Sequence, residues 1–337
     1  MINYVYQLIA PRVITVKYQN IGLGDKLIVR PEYMSICHAD QRYYTGSRDA
    51  AVLRKKLPMA LIHECMGSVS YDPKGEYKPG DKVVLIPNAP GKSVQGVYEN
   101  YLLDSVFASS GSDGFMREFV DIERERVVPC DGVDPHIAAF SEFISVAFHM
   151  FSRFERAAQT AAGSIGIWGD GGLGYLVALI FKRKLPGTKV TVIGMDERKL
   201  SRFTFVDQTY LSHELPADFR VDHAVECAGG DGCYYAGKQI IDVINPQGTV
   251  MLMGVSEKEV PINTRMVLER GLTLVGSSRS GRKDFENTVE FIKDRRVQSR
   301  LGRIVSEVVP VSTIDDIYDA FDRDLNNPFK TVIQWNT

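Results

Sequence analysis

A histidine and a glutamate stand side by side in a run that is otherwise apolar. The run is LIHECMG, residues 61–67, and it contains His63 and Glu64. Burying an unpaired charge is costly, and imidazole, carboxylate and thiolate groups are all zinc ligands. Further candidate ligands are Cys37 in SICHAD and Glu142 in FSEFISVAFH. Because a lone cysteine is also common as a small core residue, the residues leave open both a zinc site and ordinary packing.

A glycine-rich turn, GDGGLG at residues 169–174, matches the pattern G-x-G-x-x-G. It follows the apolar run SIGIW and opens an amphipathic helical segment, which is the context of a dinucleotide-binding turn. The first glycine would permit the tight turn, the second would let the backbone approach a pyrophosphate, and the third would let helix and strand pack closely. The helix N-terminus would attract the anion. We therefore predict a nucleotide site formed by Gly169, Gly171, Gly172, Leu173 and Gly174.

The end of the second strand distinguishes NAD from NADP. In NAD-binding proteins an acidic residue about 20 positions after the fingerprint binds the adenosine ribose. Here that position is Gly194, which is expected to leave room for a 2′-phosphate, and Arg198 and Lys199 follow within a turn. Asp196 is evidence against, because a small register shift would place it on the ribose. The pattern favours NADP(H), although Arg198 and Lys199 are also typical of a solvated helix face.

Two kinds of secondary structure must position these groups. Up to about residue 150, short β-like runs such as RVITVKY and DKVVLIP are separated by turns such as GLGD and KPGD. From about residue 164, apolar strand-like runs alternate with helical ones, including ERKLSRFTFVD and later DFENTVEFIKDRRV. This alternation predicts a parallel, doubly wound sheet. We predict an α/β protein with a β-rich catalytic domain over 1–148, completed by 285–337, and a Rossmann domain over 149–284.

The composition is that of an ordinary soluble globular protein, with 337 residues, 44% hydrophobic and 24% charged. A net charge of −2 gives no electrostatic reason to expect binding to nucleic acid or to an anionic membrane. The N-terminus shows no signal-peptide pattern, and no uncharged apolar run reaches the ~18 residues of a membrane span. The five cysteines are scattered and odd in number, which favours a reduced, cytoplasmic protein.

Taken in order, these motifs resemble the zinc-dependent medium-chain dehydrogenase/reductase family over nearly the whole chain. The family pattern is Cys-x-x-Asp, Gly-His-Glu-x-x-Gly, a later Glu-Pro-Leu-like segment and a Rossmann fingerprint. The corresponding stretches here are CHAD (37–40), IHECMG (62–67), EFISV (142–146) and GDGGLG (169–174). The resemblance implies a GroES-like catalytic domain with Cys37, His63 and Glu142 as zinc ligands. It also implies that Glu64 either binds zinc directly or stands just behind it.

Three departures from the family pattern affect the expected chemistry. Ile62 replaces the glycine before the histidine, and Phe143 replaces the proline after the later glutamate. Ala39 stands where many relatives carry a hydroxyl that relays the substrate proton, and alanine has none. The relay is therefore expected to use a zinc-bound water held by a carboxylate, or a neighbouring imidazole; the candidates are Glu142, Glu64 and His38.

The family's structural-zinc lobe, which carries four cysteines, has no counterpart in this sequence. The corresponding stretch is PNAPGKSVQGVYENYLLDSVFASS, residues 87–110, and it contains no cysteine. We therefore expect one catalytic zinc per chain and no structural zinc.

Four stretches further resemble the ribulose-5-phosphate reductases of wall teichoic acid synthesis. They are CHADQRYYTGSR, ENYLL, SSGSDGFMREFV and GSSRSGRKDF. The resemblance implies reduction of D-ribulose 5-phosphate to D-ribitol 5-phosphate with NADPH, ahead of CDP-ribitol formation. A phosphorylated sugar substrate requires a cationic pocket. Arg42 and Arg48 are the first candidates for it, and Arg279, Arg282 and Lys283 form a second group.

Two other functions were weighed against this one. A polyol dehydrogenase of the sorbitol or threonine type would oxidise an unphosphorylated alcohol with NAD. A nonenzymatic NADPH-binding protein would be expected to lose the zinc ligands, which are present here. The resemblance also implies a homodimer or homotetramer, for which the strand-like LTLVGSS is a candidate sheet edge. A complex with a ribitol-phosphate cytidylyltransferase is expected from the resemblance alone.

Overall fold

The chain folds into two units, and the first is assembled from both ends of the sequence. In the computed structural model, which describes residues 1–337, unit 1 comprises Met1–Ser145 and Ser280–Thr337, and unit 2 comprises Val146–Arg279. The sequence predicted divisions after residues 148 and 284. None of the helices combines the length and the apolar character that crossing a bilayer requires.

Eighteen strands alternate with the helices along the chain. Unit 1 begins with β1 (Ile2–Ala10), β2 (Val13–Asn20), β3 (Leu27–Ser35), β4 (Met59–Ala60), β5 (Glu64–Tyr71), β6 (Lys82–Leu85), β7 (Asn88–Ala89), β8 (Val106–Phe107), β9 (Val120–Ile122) and β10 (Val127–Pro129). Unit 2 contains β11 (Ser164–Trp168), β12 (Lys189–Gly194), β13 (Gln208–Leu211), β14 (His223–Glu226), β15 (Thr249–Leu252) and β16 (Thr273–Gly276). The chain then returns to unit 1 with β17 (Val305–Val311) and β18 (Lys330–Trp335).

Eleven α-helices and four short 3₁₀ turns complete the secondary structure. The helices up to the start of unit 2 are α1 (His38–Tyr44), α2 (Ala50–Lys56), α3 (Pro135–Ala138) and α4 (Ser141–Ala157). Those that follow are α5 (Gly172–Lys184), α6 (Glu197–Leu200), α7 (Gly232–Val243), α8 (Thr264–Arg270), α9 (Arg282–Ile292), α10 (Arg295–Leu301) and α11 (Ile314–Asp324). The 3₁₀ turns are Glu99–Tyr101, Arg124–Arg126, Ser212–Glu214 and Gly302–Ile304.

The main sheet of unit 1 has the strand order β10-β6-β5-β3-β18-β17, with β9 also paired to β3. Its central strand β3 ends at Ser35, which pairs with Glu64 at the start of β5 and with Val332 near the start of β18. Antiparallel pairing brings the end of one strand beside the start of its neighbours. These pairings therefore bring Cys37, Glu64 and Lys330 to the same end of the sheet, although they are far apart in sequence.

The sheet of unit 2 is entirely parallel, with the order β13-β12-β11-β14-β15-β16. Its four inner strands β11, β12, β14 and β15 are mostly buried, and β12 reads KVTVIG with five of its six residues buried, as expected for strands covered on both faces. The order reverses beside β11, and ligands of such sheets bind at the carboxyl ends of strands at this switch point. The predicted doubly wound sheet is confirmed, and LTLVGSS forms the edge strand β16.

Two predicted helices differ from those observed. The segment ERKLSRFTFVD is helical only as far as Leu200, because the chain then turns to pack Phe203 and Phe205 against Tyr175, with ring centroids 5.2 and 5.0 Å apart. The segment DFENTVEFIKDRRV forms two helices instead of one. Asp294 ends the continuous run, because its carboxylate caps α10 by accepting a hydrogen bond from the Arg296 N–H at 2.7 Å.

Candidate metal and nucleotide sites

The four predicted metal ligands lie where elements of unit 1 begin. Cys37 precedes α1, His63 and Glu64 stand at the start of β5, and Glu142 is the second residue of α4. Candidate ligand atoms of His63, Glu64 and Glu142 lie within 4.8 Å of one another, and so do those of Cys37, Asp40 and His63. His63 belongs to both groups, so the fold gathers the predicted ligands around its imidazole.

Asp40 orients the imidazole of His63. Its Oδ2 lies 3.6 Å from His63 Nδ1, and its Oδ1 accepts hydrogen bonds from the Ile62 N–H at 3.0 Å and the Ser109 hydroxyl at 2.6 Å. Burial favours the neutral imidazole, but the charges of Asp40 and Cys37 outweigh it and hold the pKa of His63 well above its ordinary value. Burial acts against ionisation of Asp40 as well, yet the charge of His63 outweighs it and lowers the pKa of Asp40. With Nδ1 facing Asp40, Nε2 is the nitrogen left for a metal.

Ile62 adopts a backbone conformation that explains why the family pattern has glycine at this position. Its φ is 68°, in the left-handed region, where a β-branched residue is strained. Its side chain is fully buried, and its N–H donates to Asp40. Burial and this hydrogen bond offset the strain, so the departure from glycine leaves the contact between His63 and Asp40 in place.

Lys330, which sequence reasoning missed, pairs with Glu64. Its Nζ lies 2.6 Å from Glu64 Oε1, 3.2 Å from the carbonyl oxygen of Ile36 and 4.4 Å from the centre of the Phe143 ring. Burial lowers the pKa of Lys330, but the charges of Glu64 and Cys37 outweigh it and raise that pKa. Burial raises the pKa of Glu64, with the charge of Lys330 acting against it. The raised pKa of Glu64 favours its neutral form, whereas the raised pKa of Lys330 depends on an ionised Glu64. The short Nζ–Oε1 contact favours the charged pair.

The carboxylates of this group fit a bound cation. Glu64 Oε2 is buried and accepts no hydrogen bond. Burial raises the pKa of Glu142 to about 7, with the charge of His63 opposing the shift and that of Glu64 adding to it. A cation between these groups would stabilise both ionised carboxylates and bind Oε2 of Glu64. Thiolate, imidazole and carboxylate donors together suit zinc.

The candidates for the proton relay occupy different environments. Glu64 and Glu142 are buried within the ligand group. His38 is the first residue of α1, exposed to solvent, and belongs to neither group of candidate ligands. Ala39 follows it in the same helical turn. The structure therefore brings the two carboxylates, and not His38, to the other predicted ligands.

Hydrogen bonds of Glu99 hold the segment of residues 87–110 in place. The Glu99 carboxylate accepts hydrogen bonds from Arg126 Nη1 at 2.8 Å and from the Arg282 N–H at 2.7 Å. Its carbonyl oxygen accepts from the Ser105 hydroxyl at 3.1 Å. Polar contacts thus tie this stretch to the rest of unit 1 without cysteine ligands. The backbone and side chain of Arg282, a second-group candidate for substrate phosphate, are used in these and neighbouring contacts.

The first and last glycines of the predicted fingerprint are required by close packing in unit 2. Gly169 has a φ of 139°, and a Cβ on it would lie 2.7 Å from the carbonyl oxygen of Cys227. A Cβ on Gly174 would lie 1.9 Å from the carbonyl oxygen of Gly169. Neither position can carry a side chain without moving backbone, where the sequence predicted a tight turn at Gly169 and close packing of helix and strand at Gly174.

The middle of the turn is open. Gly171 caps α5, and a Cβ there would meet nothing within 4 Å. Gly172 and Leu173 form the first turn of the helix and are half-buried. An anion can therefore approach the N–H groups at the N-terminus of this 13-residue helix.

Gly194 is required for a reason that differs from the predicted one. A Cβ at this position would lie 2.6 Å from both Cβ and Oδ2 of Asp170. That carboxylate accepts hydrogen bonds from the N–H groups of Met195 at 2.7 Å and Asp196 at 2.8 Å. The Asp170 side chain from the glycine-rich turn therefore packs directly against Gly194, and a contact between Gly194 and a 2′-phosphate stays a prediction.

Asp196 caps the helix that carries the two predicted cations. Its carboxylate accepts hydrogen bonds from the N–H groups of Arg198 at 2.8 Å and Lys199 at 3.3 Å. Arg198 is exposed and Lys199 is half-buried. The acid that could have argued for NAD is thus used as a helix cap, and two cationic side chains stand just beyond β12.

The first candidates for the substrate phosphate lie on the segment that follows the Cys37 motif. Arg42 is in the last turn of α1, and its carbonyl oxygen accepts a hydrogen bond from the Arg48 N–H at 3.2 Å. The Arg48 guanidinium lies 4.8 Å from the centre of the Tyr43 ring. These contacts close residues 42–48 into a compact loop one short helix away from Cys37.

Two family models match the chain. The alcohol dehydrogenase GroES-like domain matches residues 24–132, and the zinc-binding dehydrogenase model matches residues 172–294. The chain therefore belongs to the zinc-dependent medium-chain dehydrogenase/reductase family. The predicted fold class, a GroES-like domain with a Rossmann domain, is confirmed.

Within that family, the chain is similar over its full length to reductases of one kind. It is 47% identical to ribulose-5-phosphate reductase 2 of Staphylococcus aureus, over 99% of each chain. It is 48% identical to the ribulose-5-phosphate reductase of Bacillus spizizenii, also over 99% of each chain. Among solved structures, S. aureus TarJ in complex with NADPH is similar, with a TM-score of 0.90, 43% identity and full coverage of both chains. The predicted resemblance to ribulose-5-phosphate reductases is confirmed.

Proposed function

We propose that this chain is a zinc-dependent oxidoreductase that reduces D-ribulose 5-phosphate to D-ribitol 5-phosphate with NADPH. The observation that carries the proposal is its 47% identity to a ribulose-5-phosphate reductase over 99% of both chains. The donor set around His63 supports the same chemistry, because it suits the zinc of such an enzyme. The product would supply CDP-ribitol for the synthesis of teichoic acid or a related polymer.

Cys37, His63 and Glu142 would hold the zinc ion, and Glu64 would contribute through Oε2 or stand behind it. When bound, zinc would polarise the carbonyl oxygen of the substrate as a Lewis acid, and NADPH would supply hydride. Asp40 holds the His63 ring with Nε2 free for the metal. Orientation by such a neighbouring carboxylate raises the affinity of a histidine for its metal.

The new hydroxyl group must take its proton through a residue other than Ala39. Glu142 and Glu64 are buried beside the other ligands and could hold a relay water there. His38, exposed at the start of α1, could pass a proton from solvent. Replacing His38 with alanine separates these routes, because an unchanged kcat and pH profile would assign the relay to the carboxylates.

NADPH would bind unit 2 at the turn between β11 and α5. The pyrophosphate would meet the N-terminus of α5 beside Gly171, and Arg198 and Lys199 would hold the 2′-phosphate. The NADPH complex of the 43%-identical TarJ supports this choice of cofactor.

Arg42 and Arg48 would bind the phosphate of the substrate. Both are half-buried and lie on the loop that follows the Cys37 helix. A guanidinium group can donate two parallel hydrogen bonds to a phosphate. Arg282 is a weaker candidate, because its guanidinium already donates to the Glu286 carboxylate and to the carbonyl oxygen of Glu125.

The assembly and location of the enzyme form part of the same proposal. One zinc ion per chain is favoured, since residues 87–110 lack cysteine and are held by hydrogen bonds of Glu99 instead. The edge strand β16 would pair with its copy in a homodimer, or within a homotetramer. Five free thiols suit the reducing cytoplasm. A complex with a ribitol-phosphate cytidylyltransferase would consume the product directly.

The test compares cofactors and substrates on the zinc-loaded protein. NADPH and NADH oxidation are followed with D-ribulose 5-phosphate, with unphosphorylated D-ribulose as the control. The proposal predicts turnover that prefers NADPH and depends on the phosphate. Turnover with D-ribulose and NADH, and none with the phosphate ester, would favour a polyol dehydrogenase instead.

A further inference from the structure

The side chain of Asp170 lies where the second strand lacks an acid of its own. Gly194 is the last residue of β12, and NAD-binding proteins carry there the acid that binds the adenosine ribose. A Cβ on Gly194 would lie 2.6 Å from both Cβ and Oδ2 of Asp170, and the three atoms nearest to it all belong to Asp170. The turn between β11 and α5 therefore brings a carboxylate to the end of β12 from another direction.

Two backbone N–H groups fix the orientation of this carboxylate. Oδ2 of Asp170 accepts hydrogen bonds from the N–H of Met195 at 2.7 Å and from that of Asp196 at 2.8 Å. Oδ1 accepts no hydrogen bond from the protein, and the residue is half-buried, so this oxygen keeps contact with solvent. A carboxylate that is held through one oxygen and open at the other is suited to accept a hydrogen bond from a ligand hydroxyl group.

Asp170 is part of the nucleotide turn itself. It directly precedes Gly171, which caps α5 beside the proposed position of the pyrophosphate. In Rossmann domains a cofactor bound in this way has its adenosine ribose at the end of the second strand. Arg198 and Lys199, the proposed ligands of the 2′-phosphate, follow the same strand end. One carboxylate and two cations therefore surround the position of the ribose.

We propose that Asp170 binds the adenosine ribose of the cofactor and limits the preference for NADPH, an inference that rests on the proposed function. In NADH the 2′-hydroxyl donates a hydrogen bond to Oδ1, and hydrogen bonds to a charged acceptor are stronger than those between neutral groups. In NADPH the 2′-oxygen carries a phosphate, which the carboxylate repels. Arg198 and Lys199 have to outweigh this repulsion when NADPH binds.

The experiment measures the dissociation constants of NADPH and NADH by fluorescence titration of the zinc-loaded full chain, without substrate. Asp170→Asn keeps the shape of the side chain and a carbonyl oxygen for the two N–H groups, but it removes the charge and replaces the open oxygen with an amide nitrogen. NADH should bind about tenfold more weakly while NADPH binding should not weaken, so the ratio of the two constants should rise about tenfold. An unchanged ratio, which is the result of a purely structural role, would overturn the proposal.

Asp196→Asn is the matched control. It removes the same charge from an exposed side chain just beyond β12, and asparagine preserves the cap of α6. The ratio of the two dissociation constants should change less than about twofold in this variant. Equal changes in Asp170→Asn and Asp196→Asn would indicate a general effect of charge and would contradict a contact of Asp170 with the ribose.

A modified cofactor tests the contact with the hydroxyl group. The wild type should bind NADH about tenfold more tightly than the analogue that lacks the 2′-hydroxyl of the adenosine ribose, whereas Asp170→Asn should bind the two within about twofold of each other. A preference for NADH over the analogue that persists in Asp170→Asn would refute the contact.

A double variant tests whether the two positions are equivalent. Combining Asp170→Gly with Gly194→Asp moves the carboxylate to the strand end and should restore the wild-type ratio within about twofold; a ratio that stays as high as in Asp170→Asn would refute the equivalence. Turnover of D-ribulose 5-phosphate with NADPH, measured on the same wild-type protein, tests the proposed function separately, because the titrations need no substrate. A wild type that binds neither cofactor would overturn both.

Discussion

Replacing Lys330 with methionine should leave the Glu64 carboxylate as an unpaired charge inside unit 1. Glu64 is 0% exposed, Lys330 is 7% exposed, and their Nζ–Oε1 distance is 2.6 Å. Removing one partner of a buried ion pair costs about 3–5 kcal/mol. Glu64 Oε2 has no hydrogen bond that could compensate. We therefore expect Lys330→Met to lower the unfolding free energy of the metal-free protein by about 3–5 kcal/mol.

The assay is urea unfolding followed by the fluorescence of Trp335. This residue lies in β18 and in the core of unit 1, so it reports the unit that contains the pair. The second tryptophan, Trp168, lies in unit 2 and is replaced with phenylalanine in every variant. Lys283→Met is the matched control, because that lysine side chain is 79% exposed and its pair with Glu286 should contribute less than about 1 kcal/mol.

A double variant tests the cause. The double variant Glu64→Gln/Lys330→Met lacks both the Glu64 carboxylate and the Lys330 ammonium, so no unpaired charge remains and most of the lost stability should be recovered. Zinc should also reduce the loss in Lys330→Met, since the cation would take over the carboxylate. A loss below about 1 kcal/mol, or a double variant no more stable than the single one, would refute the reasoning.

Three further predictions concern the metal, the cofactor and the acid limb of stability. Cys37→Ala or His63→Ala should abolish zinc content and turnover while NADPH affinity, measured by fluorescence, changes less than about twofold; turnover without metal would contradict the ligand assignment. Arg198→Ala should weaken NADPH about tenfold and leave NADH unchanged, and an equal loss for both would exclude a 2′-phosphate contact. Burial opposes ionisation of Asp72, but hydrogen bonds from backbone N–H groups and Arg124 outweigh it and lower its pKa from 3.8 to about 2. Because its pKa is lowered, ionised Asp72 stabilises the fold above pH 3.8, and this stabilisation is lost as the pH falls towards 2. Asp72→Asn should therefore destabilise the protein at pH 7, and its stability should approach that of the wild type in acid. A stability deficit that does not change with pH would contradict this sign.

The parallel sheet of unit 2 could be predicted because its signals are local. The run KVTVIG coincides with β12, and GDGGLG lies between a buried strand and a helix, as its pattern requires. ERKLSRFTFVD was harder, because its charged start has a helical pattern while its end does not. Leu200 ends that helix, since Phe203 then packs on Tyr175. This tertiary contact is invisible in the local sequence.

The candidate site was predictable in its residue types and less so in its contacts. Cys37, His63 and Glu142 could be named from motifs, whereas Lys330 could not, because it is 266 residues from Glu64 and reaches it through strand pairing. A single cation in the apolar run FKTVIQW was the one local signal for it.

At the nucleotide turn, too, a contact with a residue distant in sequence could not be predicted. Gly194 was identified correctly as a position without an acid, but the contact with Asp170 that requires glycine there was not predicted. The Asp170 side chain enters from another strand end, and no count of residues along one strand can place it.

The most direct test of the central claim is NADPH oxidation with D-ribulose 5-phosphate before chelation, after chelation and after zinc is restored. The account predicts that turnover falls with zinc content, that one zinc per chain restores it, and that NADPH binding persists throughout. Full turnover in zinc-free protein would contradict it, and so would a zinc-replete protein that binds NADPH but leaves D-ribulose 5-phosphate unreduced.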